Sequence, residues 1–347
     1  MEHSLIIARY GELGLKSPRV RGRFERKLSS NIKSSFSCEI DINQARIFIF
    51  PEDFDEAIAN LSKIFGIVSF SPAISTHTSY EEIEKTLDNY VDELEKKGLI
   101  TCDTKFAIRC RRVGSHDFSS QELAAFAGSV VVKKLSCPVD LTNPQLEIFL
   151  EVREDDTYIF HEKIKGPGGL PLGTQGKLVS LISSGIDSPV STYLMMKRGC
   201  EIIAIHFDNE PFTQAKSREN FELLVETLKT YSSGVPFNVK VVKYGDYLQK
   251  VRDDAPEKMT CILCKSGMYK IAETLAIDTK ALGIVDGSSV GQVASQTLPN
   301  ILATRENVSV PILSPLIGMD KVEIEKIAKD EMEYDEEIKK AFNTINK

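Results

Sequence analysis

No stretch of this 347-residue sequence stays apolar long enough to cross a bilayer; runs such as Leu178–Ile182 are a handful of residues. No charged-then-apolar leader precedes a small-residue cleavage site, so secretion is not expected. The 7 cysteines offer no disulfide framework. Their number is odd, most are scattered, and only Cys261 and Cys264 stand close together. That usage suits a reducing, cytoplasmic setting. There is no Walker A loop, no dinucleotide fingerprint and no short-period repeat. What remains is 42% hydrophobic and 27% charged, with 21 Gly and 14 Pro, the composition of a folded soluble protein. The length suggests two or three domains.

The net charge of −7 argues against a surface that is basic throughout. It averages unlike segments. Lys16, Arg19, Arg21, Arg23, Arg26, Lys27 and Lys33 face a single Glu25 in one stretch. Lys105, Arg109, Arg111 and Arg112 form a second cluster, followed by Lys133 and Lys134. The acid lies in Glu81–Glu95 and Asp320–Glu337. A protein can meet phosphate through one basic face while other faces are acidic. Lys16, Arg19, Arg21, Arg23, Arg109, Arg111 and Arg112 are therefore candidate contacts to nucleic-acid phosphates.

Three compositional blocks are visible. Residues 1–76 read as a small α+β unit. It holds a strand at Leu5–Ala8, a helix through Phe24, Leu28 and Ile32, a strand at Arg46–Phe50 and a helix at Phe54–Phe65. Residues 77–165 hold a helix at Tyr80–Lys97, a strand at Lys105–Cys110 and a capping box at Ser119–Glu122. A hairpin of Leu146–Val152 and Thr157–His161 follows. The Gly/Pro-rich segment Gly166–Gly176 can be neither helix nor central strand and reads as a linker. From residue 177 to 347, short apolar runs alternate with helical patterns. The runs are Leu178–Ile182, Glu201–Phe207, Phe237–Val242 and Ala281–Val285; the helices are Pro189–Arg198, Glu219–Tyr231 and Met268–Ala276. That alternation predicts an open, mostly parallel α/β sheet.

The most informative segment is Leu181-Ile182-Ser183-Ser184-Gly185-Ile186-Asp187-Ser188-Pro189. It joins a buried strand to a helix whose first turn suits Pro189. Backbone N–H groups and the helix dipole converge there on one spot, which suits phosphate oxygens. Gly185 allows close backbone approach, and Ser183, Ser184 and Ser188 can donate hydroxyls. Asp187 can hold Mg2+, position phosphates, or satisfy the helix N-terminus.

This loop resembles the pyrophosphate loop of N-type ATP pyrophosphatases, Ser-Gly-Gly-x-Asp-Ser. Gly166–Gly176, Met195–Gly199, Gly291–Thr297 and the opening Arg9–Lys16 are similar to segments of the tRNA 4-thiouridine synthetase family. The resemblance covers almost the whole chain and points to the short archaeal type. It implies an amino-terminal ferredoxin-like domain, a THUMP RNA-binding domain and a Rossmann-like ATP pyrophosphatase domain. It implies ATP and tRNA as substrates, and nucleotide contacts at Leu181, Ile182, His206, Phe207, Lys265, Gly287 and Gln296. Ser184 departs from the motif's second glycine; if that position needs positive φ, serine is strained there.

Cys261-Ile262-Leu263-Cys264 is the one close thiol pair. Half a zinc site, two cysteines without a role, and a redox pair are all open to a lone CxxC. Lys258 and Lys265 lie near in sequence and would favour thiolate. The resemblance implies that ATP adenylates a uridine carbonyl of tRNA, expected at position 8, and that a persulfide sulfur then replaces that oxygen. A second thiol can release the sulfur by forming a disulfide. The family's bacterial members also supply sulfur for thiamine, and the donor is a cysteine desulfurase persulfide or sulfide. Cys261 and Cys264 are candidate sulfur carriers; the rival is an iron–sulfur cluster, with Cys200 as a possible third ligand. A homodimer could present tRNA from one chain to the other. Two competing functions are an ATP pyrophosphatase acting on a small molecule and an inactive RNA-binding protein.

Overall fold

The computed structural model describes residues 3–43, 45–213 and 215–332. The carboxyl-terminal part of the acidic stretch and the cysteine-free tail from Tyr334 lie outside the described residues. In chain order the first elements are β1 (Leu5–Arg9), α1 (Pro18–Lys33), β2 (Cys38–Asn43), β3 (Arg46–Pro51), α2 (Phe54–Leu61) and β4 (Ser69–His77). Next come α3 (Tyr80–Lys96), β5 (Phe106–Val113), α4 (Ser120–Leu135), β6 (Leu146–Arg153), β7 (Asp156–Phe160) and β8 (Ile164–Lys165). Then follow β9 (Lys177–Leu181), α5 (Asp187–Lys197), β10 (Glu201–Asp208), α6 (Ala215–Thr230), β11 (Asn238–Lys243) and α7 (Gly245–Asp254). The last are α8 (Thr260–Thr279), β12 (Ile284–Val285), α9 (Leu298–Arg305), β13 (Ile312–Leu313) and α10 (Lys321–Glu331).

These elements fall into two compact units. The first takes the chain up to Tyr10, Phe36–Ser62 and Val68–Gly166. The second takes Gly11–Ser35, Lys63–Ile67 and the described chain from Pro167 onward. Helix α1 is thus separated from the strands that flank it in sequence. Its buried Asn31 donates to Leu172 O at 3.1 Å, and Lys27 reaches Gly234 O at 3.2 Å.

The first unit is an eight-stranded mixed sheet in the order β2-β3-β1-β4-β7-β6-β5, with β8 beside β4. Strand β4 carries Pro72 near its middle, which argues against a central strand. The pairing explains the exception. Ala73 O accepts from Ser4 N at 3.0 Å, so the backbone of Pro72 turns to the other edge. On that edge β8 pairs only Ser69 and Phe70, and β7 begins at Ile74. The missing N–H therefore costs no ladder bond. Helices α3 and α4 cover one face, where Ile108, Ile148, Leu150 and Ile159 pack against Ile83, Leu87, Leu123 and Val131. The predicted capping box at Ser119 and Glu122 starts α4.

The second unit carries a five-stranded parallel sheet in the order β11-β10-β9-β12-β13. Every pairing in it is parallel. One core holds Leu178, Val190, Tyr193, Met196, Leu224 and Leu228 with Phe65. The other holds Val179, Ile205, Phe207, Tyr244, Tyr269 and Ile284. Helix α8 is far longer than the predicted Met268–Ala276 and takes in both Cys261 and Cys264. Strand β12 is shorter than the predicted Ala281–Val285. No helix among the described residues is long and apolar enough to cross a membrane.

Candidate active site

The parallel sheet winds in one direction from β9 to β11 and in the other from β9 to β13. Its topological switch point therefore lies between β9 and β12. Crevices outside the carboxyl ends of strands at such a point bind ligands in open α/β folds. Here a cavity of about 500 Å3 opens at that place. The loop after β9, the end of β10, the start of α8 and the turn after β12 line it.

The loop is tied into a cup by its own hydroxyls. Ser188 Oγ accepts from Ser183 N at 2.9 Å and lies 3.0 Å from Ser183 Oγ. Gly185 N donates to Ser183 Oγ at 3.3 Å; Gly185 itself does not line the cavity. Helix α5 starts at Asp187 with no side-chain cap, leaving its first N–H groups for an anion. Ser184 is not in the left-handed region, so the expected strain is absent. Its hydroxyl instead accepts from Ser217 on α6 at 2.9 Å. Gly287 is required for close approach: a Cβ there would stand 2.8 Å from Ser188 N. Asp187 faces the cavity and is paired with Lys321 Nζ on α10 at 2.7 Å.

Leu181, Ile182, His206 and Phe207 form the wall at the ends of β9 and β10. His206 Nδ1 lies 2.9 Å from Ile182 O. A carbonyl only accepts, so Nδ1 carries the hydrogen and Nε2 is left as an acceptor. The ring stacks on Phe221 with centroids 4.1 Å apart. Burial lowers the His206 pKa below its ordinary value, so the imidazole is neutral at pH 7. Gln296 lines the far wall and approaches Ser289 N through Oε1 at 3.4 Å.

Behind the cavity sits Asp286, which is 4% exposed. It accepts from Tyr269 Oη, from Ser288 Oγ at 2.8 Å, from Ser314 Oγ at 2.5 Å and from Arg305 Nη2 at 3.2 Å. Burial alone would raise its carboxyl. The Lys265 charge, the Ser314 and Tyr269 hydrogen bonds and the Arg305 charge together hold it below the ordinary value. Ser288 Oγ in turn accepts from Lys265 Nζ at 2.8 Å. Burial lowers the pKa of Lys265, with the Asp286 charge opposing that shift.

Cys261 and Cys264 lie in the first two turns of α8, three apart and hence on one helix face. Both line the cavity; Cys261 is exposed, Cys264 half-buried, and both are free thiols. The expected help from lysines is not realised at Cys264. Its thiol is pushed up, first by burial and then by the Cys261 charge. Cys200 does not fit a third cluster ligand. It is buried before β10, at the opposite strand end from His206, and six residues of strand span about 20 Å. Among the described residues no three His, Cys, Asp or Glu side chains gather to hold a metal. Among the described residues, Cys261 and Cys264 thus stand without a third such side chain beside them. A phosphate-bound Mg2+ asks less of the protein, often a single carboxylate. Asp187 suits that mode, whereas Asp286 is saturated with donors.

The candidate RNA residues have mixed surroundings. Arg19 and Arg23 are exposed. Arg23 lies over the Phe24 ring, and Lys16 is half-buried. Arg21 donates to Gly14 O at 2.8 Å and so pins its own loop. Arg109 is paired with Glu147 at 2.6 Å, Arg112 donates to His116 O at 3.2 Å, and Arg111 is exposed. The sequence reading missed Asp286, Ser288, Ser217 and Lys321. Asp286-Gly287-Ser288-Ser289 directly after a strand was a usable signal for the first two. Nothing local marks Ser217 or Lys321, which fold back from distant helices.

Comparison with known proteins places each part of the chain. Residues 5–71 match the ThiI ferredoxin-like domain, 78–162 the THUMP domain, and 173–344 the family described as thiamine biosynthesis protein (ThiI). The chain is 66% identical over 330 residues to a probable tRNA sulfurtransferase of Methanobrevibacter smithii, covering 95% of this chain and 87% of that one. It is 62% identical to a probable tRNA sulfurtransferase of Methanothermobacter thermautotrophicus, covering 96% and 86%. The crystal structure of a 4-thiouridine synthetase–RNA complex with bound ATP superposes with a TM-score of 0.86 at 32% identity. That match covers 95% of this chain and 85% of the other.

Proposed function

This chain belongs to the ThiI family of tRNA sulfurtransferases, and we propose from that premise how its own residues convert a tRNA uridine to 4-thiouridine. The observation that carries the reading is that the Ser183–Ser188 loop and the Cys261/Cys264 pair open onto one cavity. A phosphate-activating loop and a sulfur-carrying pair are needed together only where an activated oxygen is replaced by sulfur.

ATP lies with its phosphates on the loop and its base against His206 and Phe207. The neutral His206 offers Nε2 to a base amino group, and its Nδ1–H holds the ring in place through Ile182 O. The N-terminus of α5 and Lys265 offset the phosphate charge. Ser288, held by Asp286, keeps the Lys265 ammonium aimed at the cavity. Mg2+ bound by the phosphates and Asp187 would further offset their charge. The O4 of the uridine, expected at position 8, attacks the α-phosphorus. Pyrophosphate leaves, and the poor oxygen leaving group has become part of AMP.

Cys261, the exposed thiol, is the one an external persulfide donor reaches. The terminal sulfur of its persulfide attacks C4, and AMP departs. Cys264 then attacks the Cys261 sulfur; a Cys261–Cys264 disulfide forms and the 4-thiouridine sulfur leaves. An external dithiol must reduce that disulfide before the next turnover. Because burial raises the Cys264 pKa, this last step should accelerate with rising pH.

The Cys264→Ser variant tests the assignment. It should release AMP normally and accumulate a tRNA–protein adduct that dithiothreitol dissolves. An adduct in Cys261→Ser instead would reverse the two roles. Full multiple-turnover thiolation by both variants would remove the pair from the sulfur route.

A further inference from the structure

The loop cavity has a neighbour in the same unit. A second hollow of about 390 Å3 lies between the turn after β12 and the turn after β13. Ser289–Gln292 form one side and Ile317–Met319 the other; Asp320 and Lys321 at the start of α10 complete it. Hydrogen bonds hold the two sides in register. Val290 N donates to Ile317 O at 3.1 Å, and Ser289 Oγ donates to Met319 O at 2.7 Å. Gly291 N donates to Gln296 O at 3.1 Å, and Gln296 itself lines the loop cavity. The two hollows therefore share a wall. Gly287 and Ser288 line the cavity, and the next residues, Ser289 and Val290, line the recess. Asp187 lines the cavity and Lys321 the recess, and the two side chains meet at 2.7 Å.

The recess does not suit an anion. The N-terminus of α10 is closed by its own capping box, in which Asp320 accepts from Glu323 N at 2.9 Å, and Lys321 is already paired with Asp187. It suits a flat neutral ring. Val290 and Ile317 are 45% and 39% exposed, so each side offers an apolar side chain that is open to contact. Gly318 leaves room: a Cβ there would meet nothing within 4 Å. Gln292 Oε1 is buried, yet among the described residues no donor reaches it. A buried acceptor left unpaired is costly, and a ligand that brings an N–H removes that cost. Apolar walls with few convergent polar groups are the usual make-up of a small-ligand site.

The base that the adjoining cavity activates fits this description. The uracil ring of a uridine is flat and neutral and carries a single N–H, at N3. O4 is bonded to the carbon next to N3, so fixing N3 also fixes O4. We infer that the recess takes the uracil base of the target uridine between Val290 and Ile317, with N3–H donating to Gln292 Oε1 and O4 presented at the shared wall to the α-phosphorus of ATP. The inference rests on the proposed function and adds to it the place and the residue that recognise the base. The chemistry favours an amide at this position. When O4 bonds to phosphorus and pyrophosphate leaves, C4 and N3 form a double bond and N3 gives its proton to water. Half a turn of the Gln292 amide then aims Nε2–H at the bare N3. When the 4-thiouridine sulfur is released, N3 takes a proton back from water and Oε1 accepts again.

Photochemistry tests the placement without catalysis. The thiocarbonyl of 4-thiouridine absorbs near-ultraviolet light and joins to groups it touches. A tRNA that already carries 4-thiouridine at the target position is bound to the full-length protein and irradiated, and the crosslinked peptides are identified by mass spectrometry. Crosslinks to residues 289–292 or 317–319 are expected. Crosslinks confined to other segments, or none while the tRNA is bound, would overturn the recess. Gln292→Met keeps the side-chain length and removes the acceptor. It should lower tRNA-dependent AMP release about 10–100-fold, with ATP and tRNA affinities within about twofold of the wild type. An equal fall in ATP affinity would make Gln292 part of the nucleotide site and would overturn the assignment. Gly318→Leu puts a side chain into the open space and should abolish AMP release with both affinities kept. Normal AMP release by both variants would count against the recess as decisively as a wrong crosslink map. Should Gly318→Leu fail to fold, Gln292→Met and the map carry the test. Absence of AMP release by the wild type would sink the proposed function, whereas the map would still report where the base lies.

Discussion

Asp286 in one unit and Glu151 in the other are both buried carboxylates ringed by donors, and the rings differ in kind. Around Asp286 three donors are neutral hydroxyls and one is Arg305, with Lys265 held one serine away. Around Glu151 the side-chain partners are the guanidinium groups of Arg9, Arg46 and Arg153. The first ring nearly closes on itself, so its carboxylate fixes geometry: it locks Ser288 and through it Lys265. The second ring is built of charges, so its carboxylate draws together cations from three different strands. Burial is similar in the two cases; the chemistry of the partners decides whether a buried acid makes a scaffold or an electrostatic socket.

Matched isosteric variants test the contrast. Asp286→Asn should have the largest effect, because it leaves Arg305 and Lys265 facing no charge. A stability loss of about 3–5 kcal/mol is expected, with AMP formation abolished and tRNA binding retained; calorimetry, AMP release and filter binding read the three. Normal AMP formation would show that Lys265 needs no such support. The same carboxyl has a depressed pKa, so its stabilisation is present at neutral pH and lost as pH falls through that lowered value. Acid titration of the wild type should therefore show an unfolding component that Asp286→Asn lacks.

Glu151→Gln should cost about 3 kcal/mol, since three guanidinium groups lose their counter-charge. Added phosphate or sulfate should recover more stability in this variant than in the wild type, because an anion can replace the missing charge. Equal stabilisation of both would mean that the ring is closed, as at Asp286. The smallest effect is expected for Ser184→Gly, which removes one hydrogen bond with Ser217. A loss of about 1 kcal/mol and nearly unchanged ATP affinity are expected. A large gain in ATP affinity would mean that the serine does hinder the loop.

Much of the site was readable from local sequence. The loop from Ser183 to Ser188 turns backbone N–H groups to the cavity at a strand-to-helix turn, and both the turn and the chemistry proposed for it are short-range properties. The cysteine pair was equally plain, since residues three apart on a helix share a face. Asp286 had a local signal in the Asp-Gly-Ser-Ser turn after a strand, but nothing in that turn shows what the carboxylate holds. Its role depends on Tyr269, Arg305 and Ser314, drawn from α8, α9 and the segment after β13. In the fold, the sequence reading made no assignment to Ser69–His77, which the structure shows as β4 with Pro72 near its middle. Only the ladder on both edges reveals that its missing N–H falls in a gap.

The sequence alone determined most classes of element, the candidate phosphate loop, the thiol pair and the unequal distribution of charge. Each follows from residue type and short spacing along the chain. The tertiary structure decided which charges act together. The runs of basic residues turned out to contain side chains already committed, such as Arg21 and Arg109. Among the described residues, Glu151 gathers Arg9, Arg46 and Arg153, which no run contains. Curling of a sheet brings distant strands side by side, and Coulomb interaction depends on distance in space, not on separation in the chain.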